Sequence, residues 1–484
     1  MNNHTYQRRL TRCGQLMKAA GLDALVLTKP SNMAYLTGDG RLCAYAMITQ
    51  AGKVALGVPV TDVEDVKGLA HFDHIAGFDD EVGLIHSIAH DFERFGIREG
   101  AVGLEYTFLT MSMMGMLTHP HAKPEKVSVK DCTHILSELR MVKDAEEIER
   151  IRAAAKVADA GMAAAVKAVK PGVSEIQIAA EAEYAMRQAG AEEFYRTYVA
   201  SGPRTNIAHG LPTARKLQPG DLVMIDLHPV LNGYSADMCR TVCVGPAGPT
   251  AEQQAAYDLF LKAQQATIAK VKAGVGMAGV GMAELEETIH GMMKDAGHGQ
   301  HIFGPPMHGL GIEFEEAPLP PGHAFFHGEK APPPLEANIV ITVGNCGLYT
   351  GPWGVRVEDT LVVGQDGPTV LTSYPRVLVK VAARLTGGGP PVVVVLDEDG
   401  MACGWLTRDR LAAEAATRPV GEVMDEDIPT VAPELPAEAA AQLMRGRGVE
   451  YLFLMHDWPG EPRPSAVISR QAIEARLAGA KSPP

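Results

Sequence analysis

The sequence lacks several features that would direct attention elsewhere. None of its 484 residues fall in a run of about eighteen apolar positions, so no membrane-spanning helix is expected. The start, Met1-Asn-Asn-His-Thr-Tyr-Gln-Arg-Arg, is polar and carries no apolar stretch ahead of a cleavage site; this reads as a cytoplasmic protein. Basic residues are outnumbered, 44 against 58 acidic, for a net charge of -14. That balance excludes the basic footprint that nonspecific binding to nucleic acid or an anionic membrane requires. Cysteine is scarce: seven residues, an odd number, at positions 13, 43, 132, 239, 243, 346 and 403. Their spacing gives neither a disulfide framework nor a paired metal-ligand motif, and reduced thiols are expected. What remains is a chain with 46% hydrophobic residues, long enough for two to four domains and suited to small-molecule chemistry.

The most informative stretch is Asp226-Leu-His-Pro-Val-Leu-Asn-Gly-Tyr-Ser-Ala-Asp237. Its flanks, Asp221-Leu-Val-Met-Ile and Met238-Cys-Arg-Thr-Val, read as strands, and Asn232-Gly233 is a hairpin turn signal between them. A hairpin brings Asp226 and Asp237 to one spot. His228 lies two residues after Asp226, on the same strand face, where it is either a further ligand or a hydrogen-bonded core histidine. Downstream come His308, in His-Gly-Leu-Gly, and Glu358, in Gly354-Val-Arg-Val-Glu-Asp. Three carboxylates and an imidazole suit a hard or borderline divalent metal.

Several separate elements occur in one order: Arg140-Met-Val-Lys143 with Glu147-Ile148, Lys170-Pro-Gly-Val-Ser-Glu175, His209, Gly220-Asp221, Asp226, Asp237-Met-Cys-Arg-Thr, His308-Gly-Leu-Gly, Glu316-Ala-Pro318 and Arg356-Val-Glu358. The stretch from about Arg140 to Gly364 thereby resembles the pita-bread family of aminopeptidase P, prolidase, methionine aminopeptidase and the metal-free creatinase. The resemblance implies an α+β fold in which helices pack against a curved antiparallel sheet. It also implies one or two divalent ions (Mn, Fe, Co or Zn) held by Asp226, Asp237, His308 and Glu358, and a homodimer.

Three segments follow. Residues 1–138, with an amphipathic opening helix and strands such as Val54-Ala-Leu-Gly-Val and Ala101-Val-Gly-Leu, fit the small α/β domain of creatinase and prolidase. Residues 139–376 form the pita-bread catalytic domain. After the Gly- and Pro-rich link Thr386-Gly-Gly-Gly-Pro-Pro391, residues 380–484 form a small α/β unit. It has strands at Val392, Ala402, Thr430 and Tyr451, a turn at Asp397, helix starts at Arg408 and Ala437, and a Val420-Gly-Glu-Val-Met424 segment. That pattern resembles the cystathionine-β-synthase (CBS) module, which implies either adenine-nucleotide binding or a structural, dimerising appendage.

Against the family pattern, the chain departs at three site positions, one of them His228, where the family residue is small and an imidazole on that face could complete a metal shell that lacks its glutamate. Where the family has a ligating and proton-shuttling glutamate before Leu-Tyr, this chain reads Thr342-Val-Gly-Asn-Cys-Gly-Leu-Tyr349, so Asn345 or Gly344 takes its place. Asparagine offers a carbonyl oxygen but takes no proton at neutral pH. Glu315 stands where the family has a histidine that meets the substrate carbonyl or oxyanion; a carboxylate there repels an oxyanion unless protonated or metal-bound. His209 matches a pocket histidine that contacts substrate, and Arg356 is expected to contact substrate or pair with site carboxylates. Arg196 and Arg204 are weaker candidates for an anionic substrate group. The leading expectation is a metal-dependent hydrolase of a small amide, Xaa-Pro-like or amidine-like compound, specialised on a non-peptide substrate. Two others stay open: a metal-dependent lyase on a small carboxylate, with Glu315 or His209 as base, and a non-catalytic metabolite sensor.

Overall fold

The computed structural model of the chain describes residues 3–245, 248–273, 281–319 and 334–378, with the segments 392–396, 402–407, 430–431, 437–447, 451–458 and 461–469. It divides into two compact units, Met1–Leu378 and Val379–Pro484.

In the first unit the opening helix Asn3–Ala20 buries Leu10, Cys13 and Met17, spaced three and four apart as one helix face requires. Six strands follow: β1 Ala24–Leu27, β2 Tyr45–Thr49, β3 Val54–Pro59, β4 His74–Phe78, β5 Glu99–Leu104 and β6 Lys126–Asp131. They form one sheet in the order β4-β3-β2-β1-β5-β6. β1 is buried along its whole length; it pairs antiparallel with β2 and parallel with β5, and both faces carry apolar core.

Two long helices open the next region, Ala145–Ala168 and Glu175–Gln188, each fixed at its start by a capping box, Asp144 with Glu147 and Ser174 with Gln177. Then come β7 Glu193–Ser201, β8 Leu222–Leu231, β9 Tyr234–Ser235 and β10 Met238–Cys243. β8 is central, between β7 and β10. The turn after β8 has positive φ at both Asn232 (51°) and Gly233 (76°), the conformation that suits a tight hairpin to the twist of its strands. Helices Ala251–Lys270 and Met282–Asp295 cover the later strands, β11 Val340–Val343, β12 Leu348–Tyr349, β13 Gly354–Val355, β14 Asp359–Val362 and β15 Thr369–Val370.

Ion pairs join these two regions. Arg9 reaches Asp144 at 3.2 Å and Glu147 at 3.3 Å, and Lys29 reaches Glu313 at 2.5 Å; beside this joint, within the second region, Lys143 donates to Glu316 at 2.7 Å and Arg140 meets Glu313 at 3.0 Å.

In the second unit β16 Val392–Leu396 pairs antiparallel with β17 Ala402–Thr407. β18 Thr430–Val431 leads through the helix Ala437–Arg447 to β19 Tyr451–Trp458, parallel to it, a β-α-β unit. A further strand, β20 Glu461–Ser469, pairs with β19 although it contains Pro462 and Pro464; it lies at the sheet edge, where missing N–H donors are tolerated. The sequence reading did not foresee it. The link at 386–391, the turn at Asp397, the helix start at Arg408 and the 420–424 segment lie outside the described residues.

Candidate metal centre

Strand register assembles the site. In β7, β8 and β10, Tyr198 pairs with Asp226 and Asp226 with Cys239, and Cys239 bridges in turn to Glu358, with N–H···O bonds of 3.2 and 3.0 Å. Directly paired residues share a face, as do residues two apart. One row across four adjacent backbones therefore presents Tyr198, Asp226, Cys239 and Glu358. His228, Asp237 and Arg356, each two positions from a member of the row, join them on that face. The Asp237 backbone is tied to Thr360 by reciprocal bonds of 3.0 and 2.8 Å.

His308 comes from the loop before β11. Its neighbour Gly309 packs so tightly that a Cβ there would collide with the Glu316 and Ala317 carbonyls, which explains a glycine at that point. Its Nδ1 lies 3.0 Å from the Gly309 carbonyl, and its Nε2 lies 3.4 Å from Asp237 Oδ2. His228 repeats the arrangement, with Nδ1 2.8 Å from the Arg196 carbonyl and Nε2 3.3 Å from both Asp226 Oδ1 and Asp237 Oδ1. Two groups that could hold a metal ion result, Asp226–His228–Asp237 and Asp237–His308–Glu358, the candidate donor atoms in each lying within 4.8 Å of one another.

These side chains are all buried, and among the described residues no hydrogen bond reaches Asp226 Oδ1 or either oxygen of Asp237 and Glu358. Burial without compensation is costly for carboxylates, and it raises the Glu358 pKa, with the Asp237 charge adding to the rise. Burial opposes the charge on His308 too, yet the nearby Asp237 carboxylate, 3.4 Å from Nε2, outweighs it and lifts the imidazole to about 9. Five carboxylate oxygens with no donor, beside two imidazoles that turn a nitrogen toward them, fit a divalent cation.

The remaining expected residues take varied places. Arg356 is buried among the candidate ligands rather than in open pocket: it contacts Asp226 Oδ2 and stands 3.8 Å from Glu358, so it restrains these carboxylates. His209 is exposed and packs against Tyr198, ring centroids 5.4 Å apart; partial desolvation, then Arg356 and His228, lower its pKa. Glu315 is half-buried beside a small polar cavity of about 50 Å³ between the two regions of the unit, shared with Lys29, Asn32 and Arg140. Its charge is felt by both His209 and His308. Gly344 has φ of 117°, and a Cβ there would strike the Val357 carbonyl, so of positions 344 and 345 only Asn345 can carry a side chain. The weaker candidates do not converge on the site. Arg196 is exposed, and Arg204 pairs with Glu175 at 3.1 Å.

The sequence reading missed an aromatic wall. Phe314 stacks on Tyr195 with centroids 4.4 Å apart and meets His228 edge-on at 4.5 Å, while Tyr198 meets His228 at 5.6 Å. A bulge between Phe194 and Thr197 sets which β7 residues face the site, and no pattern in the sequence marks that shift.

Comparison with known proteins agrees with this geometry. Residues 149–365 match the family model for Metallopeptidase family M24, residues 9–142 that for the Creatinase/Prolidase N-terminal domain, and residues 420–473 that for the CBS domain. The Xaa-Pro dipeptidase of Pyrococcus furiosus is 30% identical over 376 residues, covering 77% of this chain and 99% of that protein. Among solved structures, the Xaa-Pro dipeptidase from Bacillus anthracis superposes with a TM-score of 0.69 at 26% identity, covering 77% of this chain and 99% of its own. The prolidase from Pyrococcus horikoshii OT3 gives 0.67 at 26% identity, covering 77% and 100%. The chain belongs to the M24 metallopeptidase family, with a creatinase-type N-terminal domain, a pita-bread domain and a C-terminal CBS domain. It is a metallohydrolase of that family. No helix among the described residues is long and apolar enough to cross a membrane.

Proposed function

We propose that the protein hydrolyses the amide bond of a small Xaa-Pro-like or other non-peptide compound, using a divalent metal held by Asp226, Asp237, His308 and Glu358. The observation that carries this reading is the set of five buried carboxylate oxygens, on Asp226, Asp237 and Glu358, that receive no hydrogen bond from any described residue and are grouped with two imidazoles. A divalent ion bound there lowers the pKa of water and polarises a carbonyl.

The protein's own groups divide the rest of the work. Arg356 keeps Asp226 oriented, and Thr360 fixes the backbone at Asp237. His209, whose pKa is lowered by partial desolvation and by Arg356 and His228, hydrogen-bonds the substrate from the exposed side of the site. Asn345 cannot exchange protons; Glu315 is the carboxylate that carries the proton from water to the leaving nitrogen. The aromatic wall of Tyr195, Tyr198 and Phe314 excludes water and selects a compact substrate. The CBS domain acts as a regulatory or dimerising appendage, and the active form is a homodimer.

The test is turnover of Xaa-Pro dipeptides and small amides by the metal-loaded chain in ¹⁸O-labelled water. Label in the product acid supports the reading. Product without label, released together with an unsaturated acid, replaces it with elimination. Tight substrate binding without turnover replaces it with a sensor.

A further inference from the structure

The ligand set is one protein donor short at position 345 and contains one imidazole more than the reading above uses. His228 Nδ1 faces the Arg196 carbonyl at 2.8 Å. A carbonyl only accepts, so Nδ1 carries a proton, and the neutral ring then turns its Nε2 lone pair the other way. A backbone acceptor on the far nitrogen is how a metal-binding histidine is usually held. Nε2 is equidistant, at 3.3 Å, from oxygens of two different aspartates, and neither oxygen accepts a hydrogen bond. A core histidine satisfied by a carboxylate would instead direct one proton at one oxygen. Its ring is fixed on two sides, by Phe314 at 4.5 Å and Tyr198 at 5.6 Å. Asp237 is flanked symmetrically, with His228 nearest Oδ1 and His308 nearest Oδ2.

We propose that His228 Nε2 is a metal ligand, the donor that replaces the carboxylate missing at Asn345. The proposal rests on the metallohydrolase reading above. The complete set is then three carboxylates and two imidazoles, with Asp237 common to both ligand groups. More nitrogen and a ligand charge of three rather than four favour borderline ions such as Zn²⁺, Co²⁺ or Fe²⁺ over Mn²⁺.

The experiment uses the full chain, stripped with a chelator and reloaded with Co²⁺ alone. Each cobalt-bound histidine that retains a ring N–H gives one hyperfine-shifted, solvent-exchangeable proton resonance. Wild type gives two and His228→Ala gives one, and Co²⁺ affinity in the variant falls by at least about tenfold. Adding Asn345→Glu to His228→Ala restores the affinity, which a loss through misfolding would not allow. A single resonance in wild type that binds Co²⁺ tightly, or unchanged affinity in His228→Ala, overturns the assignment and leaves the metallohydrolase reading standing. No Co²⁺ uptake by wild type overturns both.

Discussion

Glu358 and Asp359 are adjacent in sequence and equally buried, each with no measurable exposure, but they face opposite sides of the sheet. On the back face Asp359 receives four donors: Arg240 at 2.7 Å, Thr372 at 2.8 Å, Gln264 at 2.8 Å and Arg376 at 2.6 Å. On the front face neither oxygen of Glu358 receives a hydrogen bond from any described residue. Desolvation weighs on both, but the Asp359 pKa ends lowered, by Arg240 and Arg376, and the Glu358 pKa ends raised. The protein thus surrounds one buried carboxylate with donors and leaves its neighbour without any among the described residues. That difference separates a structural ion network from the proposed metal centre, although both contain buried acids. The joint between the two regions of the first unit behaves like the back face, since Glu147 and Glu313 each meet a cation.

The largest effect expected is on catalysis. Chelation, or Asp237→Ala, lowers kcat/KM for amide hydrolysis by at least about 10³-fold, measured with and without added Co²⁺ or Mn²⁺; an undiminished rate would remove the distinction between the faces. Next is stability. Asp359→Asn leaves Arg240 buried without its charge partner and lowers unfolding free energy by roughly 3–5 kcal/mol, read by urea denaturation. Glu358→Gln in chelated protein is neutral or stabilising, because it removes a buried charge that receives no hydrogen bond from any described residue and has only Arg356, 3.8 Å away, to offset it. Equal losses in the two variants would break the comparison.

A smaller effect is expected at position 345. Asn345→Glu supplies a further carboxylate, and calorimetry should show Mn²⁺ binding at least about tenfold tighter, roughly 1.4 kcal/mol; no change would mean that this position does not face the ion. The smallest concerns acid stability. Burial opposes ionisation of Glu313, but Arg140 and Lys29 hold its pKa near 2, below the ordinary 4.5. Its stabilising contribution is complete above pH 4.5 and is lost as pH falls toward 2, so Glu313→Gln should flatten acid unfolding in that window by at most about 3 kcal/mol. An unchanged acid-unfolding curve would count against that pairing.

The hairpin was legible because its signals are local: Asn232-Gly233 fixes the turn, and alternation puts Asp226 and His228 on one face. His308 and Glu358 could be named as ligands from the family resemblance. Their meeting point could not be read, because it depends on the Cys239–Glu358 bridge between strands more than a hundred residues apart. Tyr198 was missed because a bulge resets the register of β7. Arg356 could be placed near carboxylates, but its burial against Asp226 depends on packing. In the second unit, two prolines hid a strand that edge position permits.

If the front face is built for a divalent metal, calorimetric titration of the chelated full chain with Co²⁺, Zn²⁺ and Mn²⁺ will register it. Saturable uptake of one or two ions per chain, lost in an Asp237→Ala variant that keeps its circular dichroism, is the predicted result. A well-folded wild type that takes up none of the three would contradict it.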